Sequence, residues 1–246
     1  MLAEARVGTS GFAYREWLGS VYPPDAAPGQ LLPLYAQRLS GVELGAVPPE
    51  LAEPWSASVP PGFQFAVKAP GRVAAELATG KGAARALGAF LDVAERLGEA
   101  LGPVLIQVPE SRSADRHALA SFLASLPEDL RVAFEFKHPS WHDHSTLRLL
   151  SAREAALVLT DEGQGLPRME LTAGFTYVRI RRDDDRPDLT DEWAERLGLL
   201  TRRGIDVYAF LKHDRKGRAF DRALRLATLL RAESQVGEQA MLTWQT

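Results

Sequence analysis

The chain contains no cysteine. Disulfide staples, thiolate zinc sites and cysteine nucleophiles are therefore excluded, and the composition fits a reducing, cytoplasmic setting. Long apolar runs are missing as well. No window approaches the ~18 uninterrupted apolar residues that a membrane-spanning helix needs. The opening Met1-Leu2-Ala3-Glu4-Ala5-Arg6-Val7 has no apolar stretch long enough for a secretion signal. Nor is there an excess of positive charge. With 29 Lys and Arg against 32 Asp and Glu, the formal charge is −3. No global basic field attracts nucleic acid, so any such contact would need a local patch. The segment Ala78-Thr79-Gly80-Lys81-Gly82 lacks the earlier glycine, and the Ser or Thr after the lysine, that a phosphate loop requires. Ser10 has no His/Asp relay at readable spacing, which leaves a hydrolase triad unsupported.

What is present suffices for one large domain over 1–246. The 246 residues are 46% hydrophobic and 25% charged, the balance of an ordinary globular protein. A single α/β barrel runs to about 200–250 residues. Strand-like runs occur at Arg6–Thr9, Val42–Val47, Gln64–Lys68, Val104–Val108, Val132–Lys137, Ala156–Asp161, Thr176–Ile180 and Asp206–Leu211. Between them lie helical stretches at Leu31–Leu39, Leu51–Ser58, Ala83–Leu101, Ala118–Leu126, Thr146–Ala152, Asp191–Arg203 and Arg218–Arg231. Leu87, Phe90, Leu91, Ala94, Leu97 and Leu101 recur at helical spacing and form one apolar stripe. Repeated strand–helix units predict a parallel sheet closed into a single (β/α)8 barrel of the TIM type, with an open doubly wound sheet as the alternative. Gly163, Gly165 and Pro167 make the link after Asp161 mostly loop, so one outer helix is expected to be short or missing.

A barrel of this kind carries its chemistry at the C-terminal strand ends. Polar residues crowd those ends while the strand bodies are apolar. They include Thr9 and Ser10 after strand one, Glu43, Lys68 and Gln107. Strand five supplies Glu135, Lys137 and His138, and Asp161, Arg179 and Asp214 follow on the last three strands. Glu135 and Lys137 fall on one face by strand alternation, opposite Phe134 and Phe136. They read as an acid/base pair, or as an acid beside an anion-holding lysine, or as a structural ion pair. Gly8-Thr9-Ser10-Gly11 reads as a donor cradle or a tight turn, and Tyr14 with Trp17 as a pocket wall or a barrel plug. The spacing His138-x-x-x-His142-x-His144 resembles metal-ligand spacing, but a helix cap at Asp143 or Ser145 would turn His142 and His144 outward.

From Gly8-Thr9-Ser10-Gly11-Phe12 through Trp17, Gly19, Tyr22 and Pro23, the chain resembles the YecE-like family of TIM-barrel proteins, a domain of unknown function. The resemblance continues through Val42-Glu43-Leu44, Phe63–Lys68, Leu101-Gly102-Pro103, Gln107, Pro109 and Glu135–Trp141. It ends with Tyr177-Val178-Arg179 and with Val207-Tyr208 through Asp214, Gly217, Ala219, Ala223 and Leu224. It implies the barrel fold and no established reaction, cofactor or metal. The departures are Gly45-Ala46-Val47-Pro48-Pro49, Arg181-Arg182, Lys212-His213-Asp214 and Arg222, and three of them add positive charge. A family activity is altered or lost here, or the site is retuned for a more anionic ligand.

The functional expectation is an enzyme, or an enzyme-derived protein, that binds a small anionic ligand (phosphate- or sugar-containing) at the barrel mouth. Glu135, Lys137 and His138 are its expected catalytic groups, in hydrolase- or lyase-type acid/base chemistry. Thr9, Ser10, Tyr14, Trp17, Glu43, Lys68, Gln107, Asp161, Arg179 and Asp214 are its expected ligand contacts. No cofactor and no metal are predicted. The alternatives are a non-catalytic ligand- or partner-binding barrel, and a metal-dependent phosphoesterase or nuclease using Glu43, Glu135, Asp161, His138 and His213.

Overall fold

Eight strands form at Ala5–Thr9 (β1), Gly41–Leu44 (β2), Gln64–Lys68 (β3), Leu101–Val108 (β4), Val132–Phe136 (β5), Ala156–Asp161 (β6), Phe175–Ile180 (β7) and Asp206–Leu211 (β8). The computed structural model describes residues 3–77, 83–163, 165–182 and 187–243. The Ala78–Gly82 segment and the Asp183-Asp184-Asp185 run lie outside the described residues. All neighbouring strands pair in parallel, in the order β1-β8-β7-β6-β5-β4-β3-β2. Their near-continuous apolar sequences are what a sheet covered on both faces requires.

The two ends of this order meet. Ser10 bridges to Glu43, the Gly11 N–H donates to the Glu43 carbonyl at 2.8 Å, and the Val7 N–H donates to Ser40 Oγ at 3.1 Å. Following the register once round the barrel leads back to β3 eight residues from the starting point. That shear, with eight strands, is the geometry of a TIM barrel. The seam leaves no room for side chains: a Cβ on Gly8 would lie 1.8 Å from the Gly41 carbonyl oxygen.

Helices cover the outside at Leu31–Ala36 (α1), Ala52–Ala57 (α2), Gly71–Leu77 (α3), Ala83–Ala94 (α4), Arg116–Ala124 (α5), His144–Ala152 (α6), Pro187–Thr201 (α7) and Arg218–Thr243 (α8). The link from β6 to β7 carries no helix among the described residues, as its Gly163, Gly165 and Pro167 lead one to expect. Strand β2 stops at Leu44 rather than Val47, because Gly45 and the Pro48-Pro49 pair cannot extend a ladder. The seven-residue α3 was not anticipated; it is too short to display a helical period.

Ala66, Leu105, Ala133, Ala156, Val158, Phe175, Tyr177, Tyr208 and Phe210 fill the interior. Phe134 and Phe136 face the other way, into an outer layer with Phe122 and Trp141. Trp17, Trp141 and Trp193 are fully buried, and burying a large side chain contributes roughly 1.5–3 kcal/mol. The fold thus leaves only the inward side chains of the upper strand ends to face the mouth.

Candidate active site at the barrel mouth

The register assigns the inward residues to layers. Going round the barrel at one height places Ser10, Lys68, Glu135 and Arg179, one from each odd-numbered strand, in a common layer. Glu43 lies just below it, and Gln107, Thr160 and Lys212 just above. Lys137, Glu162 and Arg181 continue the inward faces of β5, β6 and β7 toward solvent.

A chain of alternating charges crosses this space. Arg179 donates from Nε to Glu43 Oε2 at 2.8 Å and from Nη2 to Glu43 Oε1 at 3.0 Å. Its Nη1 donates to Glu135 Oε2 at 2.6 Å. On one flank Arg181 Nη2 donates to Glu43 Oε1 at 2.7 Å, and Arg181 Nη1 to Ser10 Oγ at 2.9 Å. On the other, Lys137 Nζ lies 3.3 Å from Glu135 Oε1 and 2.9 Å from Glu162 Oε1. Neutral donors fill the remaining lone pairs. Glu43 accepts from Ser10 Oγ at 2.8 Å and from the Tyr177 hydroxyl at 2.9 Å; Glu135 accepts from Thr160 Oγ1 at 2.8 Å and from Gln107 Nε2. Glu43 is 5% and Glu135 2% exposed. Burying carboxylates that deep is costly unless they are so fully partnered.

Burial alone would raise the Glu135 pKa, but Arg179, Gln107, Lys137 and Thr160 outweigh it and hold the carboxyl below its ordinary range. At neutral pH Glu135 is a base and an acceptor, not an acid. For Lys137 burial lowers the pKa, while bonds and charge from Glu162 and Glu135 reverse the sign and keep the ammonium protonated. Burial, then Glu16 and Glu43, push the Tyr14 hydroxyl up to about 12, so it donates; it does so to the Ser10 carbonyl.

The expected site residues divide into two groups. Ser10, Glu43, Gln107, Glu135, Lys137 and Arg179 come together in the mouth, with Tyr14 at its edge, stacked on His213 at 4.1 Å between ring centroids; Lys68 shares their layer, and its side chain borders a small cavity with Ala46, Val47, Pro70 and Phe90. The others turn elsewhere. Thr9 faces outward, where its N–H donates to the Tyr35 hydroxyl at 2.8 Å. Trp17 lies behind Tyr14 and donates to the Asp214 carbonyl at 2.7 Å. Asp214 caps α8, accepting from the N–H groups of Lys216, Arg218 and Ala219. His138 Nδ1 accepts from the Ser140 N–H at 3.2 Å and starts the turn after β5. Asp161 is wholly buried on the outer face, against Arg182 Nε at 2.7 Å and Trp193 Nε1 at 2.9 Å. Asp143, not Ser145, caps α6 through the Thr146 N–H.

Tyr177 and Thr160 were missed. Alternation from Arg179 pointed to Tyr177. The apolar body of β6 carries no phase marker, so its sequence does not distinguish the outward Asp161 from its inward neighbour Thr160. Among the described residues, no group of three or more His, Cys, Asp and Glu is arranged to hold a metal ion, and no helix is long and apolar enough to cross a membrane.

Solved structures share this architecture. A DUF72 family protein from Thermotoga maritima is 28% identical, with a TM-score of 0.82 over 93% of this chain and 99% of that one. A DUF72 family protein from Enterococcus faecalis is 19% identical, with a TM-score of 0.71 over 93% and 98%, and it supports the fold alone. No curated protein matches the sequence. The family described as "Protein of unknown function DUF72" matches residues 6–245, consistent with the YecE-like resemblance. With that match spanning almost its whole length, the chain belongs to the DUF72 family.

Proposed function

We propose that the mouth binds a small anionic ligand, phosphate- or sugar-containing, and that the protein is an enzyme or derives from one. Lys68 carries this reading. It occupies the same layer as Glu135 and Arg179 and is only partly exposed. Among the described residues its side chain has no hydrogen bond or ion pair. A partly desolvated ammonium without a counter-ion is costly, and an anionic ligand supplies the missing partner. Among the described residues, Lys137, Arg179 and Arg181 are held by Glu43, Glu135 and Glu162. Lys137 uses two of its three N–H groups on carboxylates and keeps one for a ligand. Arg179 and Arg181 are already held in place, so binding requires little reorganisation.

In the enzyme reading, Glu135 takes a proton from the bound ligand while Lys68 and Lys137 hold its anionic group. His138 has no part in it, since its ring caps a turn. The saturation of Glu135 by four donors favours a second reading, a non-catalytic binding barrel in which that carboxylate only positions cations. A metal-dependent phosphoesterase has less support, because His138 and Asp161 face away from Glu43 and Glu135.

Calorimetric titration with inorganic phosphate and glucose 6-phosphate tests the binding claim. We expect Lys68→Ala to weaken binding at least about tenfold, the effect of ~1.4 kcal/mol. Unchanged affinity in that variant, or no binding to the parent protein, would overturn the reading. Glu135→Gln then separates the alternatives: an enzyme loses turnover of phosphoesters or glycosides and keeps binding, whereas a binding barrel has no turnover to lose.

A further inference from the structure

Between β5 and β6 the barrel wall parts. Their register runs through Ala133–Ala156 and Phe134–Leu157 and then stops. On either side the sheet goes further: β4 stays paired with β5 to Phe136, and β6 with β7 to Asp161. Because the Lys137 N–H donates to Val108 on β4, alternation turns the Phe136 N–H and C=O toward β6. That carbonyl is taken instead by His142 Nε2 at 3.1 Å, from the turn before α6. The gap is therefore finished with its own hydrogen bond rather than being a loose seam.

The parting opens a cavity of about 490 Å³, within the ~300–1,000 Å³ of small-ligand sites. One end is the mouth itself, at Glu135, Lys137, Thr160 and Glu162. The other is apolar, walled by Phe136, Leu147, Leu157, Leu159 and Pro167 beneath α6 and the helix-free link. The carboxylates on its rim are already engaged, Glu162 by Lys137 at 2.9 Å and Glu170 by Arg168 at 2.7 Å.

We infer that the slot between β5 and β6 receives an apolar part of the ligand, making that ligand an anionic amphiphile: a phosphate monoester whose aryl or alkyl group passes through the barrel wall. The inference rests on the anion-binding reading and deepens it. Polarity runs in the right order, from the Lys137 ammonium at the mouth to the hydrocarbon of Leu147 and Leu157 beneath α6. A sugar in the slot would set hydroxyls against Leu147, Leu157 and Leu159 at a desolvation cost that an aryl or alkyl group avoids.

The test is calorimetric titration of the whole protein with inorganic phosphate, phenyl phosphate and hexyl phosphate, repeated on Leu147→Trp, which fills the apolar end, and on Leu147→Ala. We expect an organic phosphate to bind at least about tenfold tighter than inorganic phosphate, which two buried methylenes suffice to produce. The better of the two identifies the aryl or the alkyl class. Leu147→Trp should abolish that preference and leave inorganic phosphate binding unchanged. Should it fold poorly, Leu147→Ala should weaken the organic phosphates alone. Equal affinities for all three phosphates, or a preference that survives both variants, would overturn the slot while sparing the anion reading. Failure of all three to bind would overturn both.

Discussion

Arg179 grips Glu43 with two parallel bonds, Nε to Oε2 at 2.8 Å and Nη2 to Oε1 at 3.0 Å. The fork fixes the guanidinium plane, and only then can its third nitrogen reach Glu135 from the opposite side. The two buried carboxylates share one cation. The whole mouth depends on it.

Replacing that cation by a neutral side chain of similar length should therefore be expensive. Arg179→Met leaves Glu43 and Glu135 buried with half their compensation, and we expect a loss of about 3–5 kcal/mol. Urea unfolding at pH 7 measures it. Part of the loss should return as the pH is lowered, because Glu135, without the Arg179 charge that depresses its pKa, takes up a proton more readily.

Acid should destabilise the protein through Glu135. Its pKa is depressed in the fold from an ordinary 4.5. Its contribution is thus complete above about 4.5 and disappears as pH falls through the lower folded value. Glu135→Gln should cost about 3 kcal/mol at pH 7 and flatten the acid limb of a plot of unfolding free energy against pH. A limb of unchanged slope would show that other carboxylates carry the effect. Lys137 acts in the opposite sense: its pKa is raised from 10.5, so its contribution is lost only as pH rises above that value.

Lys68 should prove a residue kept at the expense of stability. Lys68→Met removes a partly buried, unpartnered charge, and we expect unchanged stability or a gain of up to about 1 kcal/mol. In a protein of this size that gain is a rise of roughly 2–4 °C in melting temperature. The same variant should lose the thermal protection that added inorganic phosphate gives the parent. A fall in melting temperature without phosphate would mean that Lys68 has a structural partner.

Asp161 should behave as a structural group and not as a ligand contact. Asp161→Asn weakens the hold on the buried Arg182 guanidinium while keeping an acceptor for Trp193. We expect about 2–3 kcal/mol of lost stability, with phosphate affinity of the folded protein within about twofold of the parent. A tenfold loss of affinity, measured by the same titration, would return Asp161 to the site.

The fold was legible because it is written in short-range signals. All eight predicted strands fall within three residues of the observed ones at either end, since buried parallel strands are apolar on both faces and end where glycine and proline intervene. The helix-free link followed from Gly163, Gly165 and Pro167. The site was legible in its types and only partly in its members. Glu135 and Lys137 could be phased because Phe134 and Phe136 alternate with them. No such marker exists in Ala-Leu-Val-Leu-Thr-Asp, so the sequence leaves the phase of β6 at its end undetermined. His138 and Asp214 look like site residues in a string of letters. In space each satisfies backbone N–H groups, at a turn and at a helix start.

The sequence by itself determined the strand–helix rhythm, the apolar walls and the crowding of charge at one end of the strands, because each depends on residues near in the chain. Only the tertiary structure decided which charges meet. Ser10, Lys68, Glu135 and Arg179 share a layer because closure staggers eight strands by a fixed shear, a property of the whole ring that no segment carries. The parting of β5 from β6 is likewise a matter of where two neighbours stop pairing. Among the described residues Lys68 ends without a side-chain partner for the same reason: its layer holds another cation, Arg179, and that cation has claimed Glu135.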